Sequence, residues 1–346
     1  MPTLTINGRQ VEARDGATLL DTALEAGIYI PHLCHGPGLE PYGACRMCIV
    51  EIDGMRGLPA ACTTTVADGM QVRTDTEQLN RVRRMICEML IADHPADCLS
   101  CTSNQKCELQ QVAAHLGVTQ QRIRKTDRNP PRDESNPFFV RDPAKCILCG
   151  RCVRVCHEVR GVDAIDIAGR GYESRIATFA DMPMRESVCE SCGACVEQCP
   201  VGALAPKHEI LPPTDSVKTI CPYCGCGCGL ILGTRGGRLV SVSGDLDHLV
   251  NKGQLCAKGR FGLDFVHAKD RLAKPLIKQD GRFRETDWGQ ALEFAAKRLR
   301  EIKAAHGPDA IAGLSSAKCT NEENYLFQKF MRAAVGTNNV DHCARL

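Results

Sequence analysis

Aromatic residues are scarce: Phe, Trp and Tyr make up 4% of the 346 residues, with one tryptophan. That excludes a single large aromatic core and points to several small modules. No run of 18 apolar residues occurs, so no segment reads as a membrane-spanning helix. Neither sign of charge dominates; 43 Lys and Arg stand against 41 Asp and Glu, a formal net charge of +2. Nucleic acid is therefore not the implied partner. The opening MPTLTINGRQ has neither the basic nor the apolar region of a secretory leader. What the chain does have is cysteine, 23 in all, an odd number. With no leader, these read as reduced thiols holding metal in the cytoplasm rather than as a disulfide framework.

Local signals outline the modules. Leu4 to Ile6, the pair Asn7-Gly8 and Gln10 to Ala13 predict a hairpin on a type I′ turn. A helix follows, with Thr18 and Asp21 as a capping pair, Leu19, Leu20, Ala23 and Leu24 as its apolar face, and Gly27 as its stop. Residues 126–137 and 205–217 are polar and proline-rich and read as linkers. Beyond residue 270, Leu292, Ala295, Leu299 and Ile302 predict a helix from Trp288 to Ala305, capped by Asp287 and ended by Gly307. A strand over Ala310 to Leu314 and a helix from Asn321 to Val335, closed by Gly336, complete the beginning of an α/β domain.

The cysteines form five sets. Cys34, Cys45, Cys48 and Cys62 (C-x10-C-x2-C-x13-C) lie in a loop tightened by Gly36, Gly38 and Gly43 and suit a 2Fe–2S cluster; structural zinc is the alternative. His94, Cys98, Cys101 and Cys107 (H-x3-C-x2-C-x5-C) suit a 4Fe–4S cluster with one imidazole ligand, the alternative being a histidine that merely neighbours three thiols. His115 reads as an ordinary helix residue. Cys146, Cys149, Cys152 and Cys156 repeat as Cys189, Cys192, Cys195 and Cys199, each C-x2-C-x2-C-x3-C, the second followed by Pro200 as in bacterial two-cluster ferredoxins. That arrangement crosses the ligands: Cys146, Cys149, Cys152 and Cys199 hold one 4Fe–4S centre, and Cys189, Cys192, Cys195 and Cys156 the other. Arg141, Lys145, Arg151, Arg154 and Arg160 around the first run read as a solvated cationic face; offsetting cluster charge or docking an acidic partner are the alternatives. The fifth set is Cys221, Cys224 and Cys256 with either Cys226 or Cys228, which spacing does not separate. Cys87, Cys319, Cys343 and the remaining thiol of that pair read as buried apolar residues.

These motifs resemble known families. CPYCGCGC at 221–228, LCAKG at 255–259, GPDAI at 307–311 and GTNNVDHCAR at 336–345 resemble the start of the molybdenum or tungsten formate dehydrogenase catalytic subunit. The resemblance implies Cys228 rather than Cys226 as the ligand, leaving Cys226 among the spare thiols, and places Lys258 between a 4Fe–4S cluster and a molybdopterin guanine dinucleotide. Residues 1 to about 210 resemble the N-terminal region shared by the large iron–sulfur subunit of respiratory complex I and iron-only hydrogenases.

The fold class this implies is an α+β multidomain iron–sulfur protein: a 2Fe–2S β-grasp domain (1–78), a 4Fe–4S domain with one histidine and three cysteine ligands (79–125), a two-cluster ferredoxin domain (138–210), a 4Fe–4S domain of the Mo/W bis-pterin type (217–273) and the start of a molybdopterin oxidoreductase α/β domain (274–346). The combination resembles the α subunit of cytoplasmic, NAD-linked formate dehydrogenases. One 2Fe–2S and four 4Fe–4S centres would relay electrons between a Mo or W pterin site, where formate and CO2 interconvert, and a flavin/NAD-binding iron–sulfur subunit or ferredoxin. A stand-alone electron-transfer protein and another molybdopterin enzyme, such as a nitrate reductase, are the alternatives. The resemblance puts the metal-ligating cysteine or selenocysteine directly after Leu346. The next codon is accordingly expected to be UGA, no catalytic residue is assigned within the 346, and these residues alone are expected not to oxidise formate.

Overall fold

The computed structural model describes residues 1–95, 97–120, 122–124, 130–207 and 212–343. The chain forms two compact units, Met1–Ile210 and Leu211–Leu346.

The first unit begins with β1 (Thr3–Ile6) and β2 (Arg9–Glu12), paired antiparallel. Asn7 and Gly8 turn between them with φ of 52° and 80°, the two positive values of a type I′ turn. In α1 (Leu19–Glu25) the Thr18 hydroxyl accepts the Asp21 amide and donates to the Asp21 carboxylate. With β3 (Glu51–Ile52) and β4 (Gln71–Arg73) the strands form one sheet in the order β2-β1-β4-β3, with β4 parallel to β1. Leu4, Ile6, Leu20, Ala23, Val50 and Val72 fill the space between sheet and helix, and Cys48 and Cys62 belong to the same core.

Two helices follow, α2 (Glu77–Ala92), capped by Thr76, and α3 (Glu108–His115). Next come β5 (Phe139–Arg141), the short α4 (Arg151–Arg154) running into a π-helical turn over Val155–Val159, the hairpin β6 (Asp166–Ala168) and β7 (Arg175–Ala177), α5 (Ala194–Gln198) and β8 (Leu204–Pro206), which pairs with β5. The cysteine duplication is a backbone duplication too. Leu148 and Gly150 in the first run, and Ser191 and Gly193 in the second, all have φ between 54° and 74°. One core, which includes Leu33, Met47, Cys87, Leu109, Val112 and Val201, joins the first three modules.

In the second unit β9 (Asp215–Ile220), β10 (Gly229–Arg235) and β11 (Arg238–Gly244) form an antiparallel meander, and α6 (Ala257–Phe261) follows. The hairpin β12 (Leu276–Gln279) and β13 (Arg282–Glu285) leads to α7 (Trp288–His306), where Asp287 accepts the Gln290 amide at 2.8 Å and Gly307 ends the helix. The expected strand is shifted. Pro308–Ala310 makes a 3-10 turn, so β14 is Gly313–Ser315. After it, α8 (Asn321–Lys329) continues as a π-helical turn to Val335, Gly336 stops it at φ 90°, and β15 (Val340–His342) pairs parallel to β14. That is a strand–helix–strand crossover, as in an α/β domain.

Neither expected linker is free chain in its described part. Residues 126–129 and 208–211 lie outside the described residues. Asp133 exchanges both backbone hydrogen bonds with Arg141 at 2.9 Å, and residues 205–206 and 215–217 belong to β8 and β9. Polar composition does not prevent pairing where a neighbouring edge offers backbone partners. Among the described residues no helix is long and apolar enough to cross a membrane.

Candidate iron–sulfur centres

The first thiol set closes on itself. The Cys45 amide donates to Cys34 Sγ and the Met47 amide to Cys45 Sγ, both at 3.5 Å, while Cys34, Cys48 and Cys62 are buried. Gly43, at φ 70° with Thr63 3.1 Å from where a Cβ would sit, lets the loop fold this tightly. Hydrogen bonds first from Cys45 and then from Cys62 pull the Cys34 thiol far below its ordinary range, and the same contacts push Cys45 and Cys62 up. Thiols this close share protons rather than ionise independently. A polycationic iron–sulfur core would take all four as thiolates, and the amides aimed at sulfur suit it.

Beneath this set lies Arg83, which sequence reasoning missed. It is 1% exposed. Its Nε donates to the Met47 carbonyl at 3.1 Å, Nη2 to Ile49 at 2.7 Å and Nη1 to Thr74 at 2.8 Å. The available signal was its place in the series Leu79, Arg83, Cys87, which puts a charge on the inward face of α2.

In the second set the His94 Nδ1 lies 3.0 Å from the Pro95 carbonyl, so Nδ1 carries the proton and Nε2 the lone pair. Nε2 is buried with no hydrogen-bond partner among the described residues, and burial lowers the His94 pKa. A neutral imidazole with a free, buried nitrogen is what ligation requires. Cys107 is electrostatically coupled to Cys101 and Cys98, behind the burial that chiefly raises its thiol pKa. Cys101 Sγ lies 2.5 Å from where a Cβ on Gly202 would sit, so this set abuts the ferredoxin-like module. His115 packs edge-on against Tyr29, with ring centroids 4.9 Å apart.

The duplicated runs line two cavities, and the fourth cysteines change places. Cys146, Cys149, Cys152 and Cys199 line one of about 350 Å³. Cys156, Cys189, Cys192 and Cys195 line another of about 20 Å³. Matching amides face matching sulfurs at 3.4 Å, Leu148 to Cys146 and Ser191 to Cys189. Burial pushes Cys146, Cys149 and Cys199 up to about 11, so without a cluster they are thiols at neutral pH. Among the described residues no three His, Cys, Asp or Glu converge tightly enough for a single ion; these eight thiols surround space instead.

The basic residues around the first run are not a solvated face. Arg151 is 3% and Arg154 9% exposed. Arg151 pairs with Glu108, while Arg154 donates to the carbonyls of Glu40 and Cys34 and lies over the Tyr42 ring. Arg141 donates to the Ile176 carbonyl, Lys145 pairs with Asp97 at 3.0 Å and Arg160 with Glu190 at 3.3 Å. The run is packed between modules, where long cationic stems bury well if their heads find carbonyls or carboxylates.

In the second unit Cys221 is coupled to Cys256, Cys224 and Cys226, behind the burial that chiefly raises its pKa. Cys228 Sγ stands 3.5 Å from Cys226 Sγ. Both members of the ambiguous pair therefore reach the site. Cys226 is exposed, as is Cys343, and Cys319 is half-buried; of the spare thiols only Cys87 is the buried apolar residue expected. Lys258 is exposed on α6, two residues after Cys256.

The matches to known domain families agree with this layout. Residues 1–77 match the 2Fe–2S iron–sulfur cluster binding domain, 83–122 the NADH-ubiquinone oxidoreductase-G iron–sulfur binding region, and 136–205 the ferredoxin-like domain of NADH-quinone oxidoreductase subunit 3. Residues 214–268 match the molybdopterin oxidoreductase Fe4S4 domain and 271–346 the molybdopterin oxidoreductase domain. The molecule is thus a series of iron–sulfur domains followed by the start of a molybdopterin oxidoreductase domain. Segment by segment it is similar to NADH-ubiquinone oxidoreductase-G over residues 83–122 and to molybdopterin oxidoreductases over 214–268 and 271–346.

Two relatives are 40% identical over 350 residues: the NADPH-Fe(3+) oxidoreductase subunit alpha of Geobacter sulfurreducens and an NADH-quinone oxidoreductase subunit of Rhizobium meliloti. They cover 100% and 99% of the chain. A Bacillus subtilis protein named "Putative formate dehydrogenase" is 33% identical over 386 residues and covers 98%. The chain spans about 40% of the length of these curated relatives. A crystal structure of an NAD+-reducing NiFe hydrogenase in the H2-reduced state superposes with a TM-score of 0.56 at 36% identity, over 60% of this chain and 87% of that one.

Proposed function

We propose that the chain is the electron-relay portion of a formate dehydrogenase or CO2 reductase α subunit, holding one 2Fe–2S and four 4Fe–4S clusters. Cys34, Cys45, Cys48 and Cys62 hold the 2Fe–2S cluster. His94 with Cys98, Cys101 and Cys107, the two crossed sets, and Cys221, Cys224, Cys228 and Cys256 hold the others. Bound clusters supply one-electron transfer. The chain's part is to hold them close together, keep water away and set the charge around them.

One observation carries this reading: the cavity of Cys146, Cys149, Cys152 and Cys199 is flanked by two other sets. Arg154, two residues after Cys152, donates to the Cys34 carbonyl, and Cys101 lies against Gly202, so the first unit offers contiguous stations rather than separate sites. A flavin/NAD-binding iron–sulfur subunit in the cytoplasm is the partner favoured by the likenesses to the hydrogenase and to NADH-quinone oxidoreductase, and Lys258 is the residue that would lie between the last 4Fe–4S cluster and a bound pterin. A second reading is favoured by the 40% identity to an NADPH-Fe(3+) oxidoreductase subunit: electrons enter from a reduced nicotinamide and formate plays no part. Anaerobic EPR of the complete enzyme, given formate alone or NAD(P)H alone, separates the two. Cluster reduction by formate supports the first reading; reduction only by NAD(P)H overturns it in favour of the second.

A further inference from the structure

Arg83 is a buried guanidinium whose polar partners among the described residues are all neutral. They are the carbonyls of Met47, Ile49 and Thr74, with Asn80 Oδ1 at 3.4 Å. Guanidinium does not shed its proton in proteins, and a desolvated, uncompensated charge is costly. The nearest carboxylate to act on it is Asp75, which is exposed and already accepts from Asn80 Nδ2 at 2.6 Å. The geometry names another counter-charge. Met47 and Ile49 flank Cys48, so the Arg83 fork grips the backbone on both sides of one thiol of the first set.

We propose that Arg83 is the resident counter-charge of the 2Fe–2S centre held by Cys34, Cys45, Cys48 and Cys62, a positioning residue that raises the centre's reduction potential. The inference rests on the reading of those four thiols as its ligands. Two ferric ions, two sulfides and four thiolates sum to a dianion, and one-electron reduction makes a trianion. A fixed cation in a low-dielectric site stabilises the trianion more than the dianion. Carbonyls alone orient the guanidinium without neutralising it, which leaves its field for the cluster.

The test is an EPR-monitored redox titration of the anaerobically reconstituted full chain, following the 2Fe–2S signal at a temperature where 4Fe–4S signals are broadened. Arg83→Gln is expected to lower the reduction equilibrium constant roughly tenfold, about 59 mV for one electron, and Arg83→Lys to recover most of that loss. Because Arg83→Gln also removes a buried fork and is able to prevent folding, the exchange D75N/N80D is the second arm. It conserves net charge and the side-chain hydrogen bond while moving the carboxylate to face Arg83. A fall of about threefold or more in the same constant is expected there. An unchanged potential in the exchange variant, with the 2Fe–2S signal at full intensity, overturns the inference alone, whatever Arg83→Gln does. A wild-type chain with no 2Fe–2S signal overturns the ligand reading as well.

Discussion

Arg151 and Glu108, 43 residues apart, meet in a two-pronged ion pair, with both guanidinium Nη atoms 2.6 Å from the two carboxylate oxygens. The Glu108 amide also donates to the Pro200 carbonyl at 2.9 Å. One residue at the start of α3 thus ties the histidine-containing module to both ends of the cysteine duplication. Such bidentate pairs combine strength with a fixed geometry.

Arg151→Met should therefore destabilise the first unit by about 1–3 kcal/mol, measured as a fall in the urea midpoint. Arg151→Lys should recover less than half of it, because an ammonium cannot serve both oxygens in the plane of the fork. Equal stability of all three proteins would show the pair to be incidental.

For His94, replacement by cysteine should keep a cluster and lower its potential, because thiolate adds the negative charge that imidazole lacks. His94→Ala should remove or degrade the same EPR signal. Redox titration giving an unaltered signal in both would make His94 a bystander.

Crossed ligation predicts which variants share a phenotype. Reconstituted chain should bind about 18 iron atoms, and Cys156→Ala should extinguish the same EPR signal as Cys189→Ala. Likewise, Cys199→Ala should match Cys146→Ala. If Cys156→Ala instead matches Cys146→Ala, each run holds its own cluster.

Cys87 supplies a pH dependence free of any cluster. Burial raises its thiol to about 11, against an ordinary 9.0. Its folded form therefore holds a proton that the unfolded chain releases between those values, and the stability tied to the neutral thiol is whole below pH 9 and lost as pH rises toward 11. The stability advantage of wild type over Cys87→Ala should shrink by about 2 kcal/mol between about pH 8 and 10.5. Urea unfolding at the two pH values measures it, and a constant gap would refute it.

Much of this was readable along the chain. The Asn7-Gly8 turn, the Thr18 and Asp287 caps and the Gly27, Gly307 and Gly336 stops depend on dihedral preferences and hydrogen bonds that span a few residues, and all appear where expected. So does the repeat of the two cysteine runs, since each run's backbone is set by its own glycine and spacing. Other features needed the folded chain. Arg154 reads as a surface charge until α4 is packed beside a carbonyl 120 residues away. Arg83 is one of several arginines on α2 until the Cys48 loop covers it. The exchange of Cys156 and Cys199 between cavities requires both halves to be folded against each other. Local torsions and short hydrogen bonds are encoded by neighbours in sequence; which charges lose their water, and which thiols share a cavity, is decided by contacts between segments that only packing brings together.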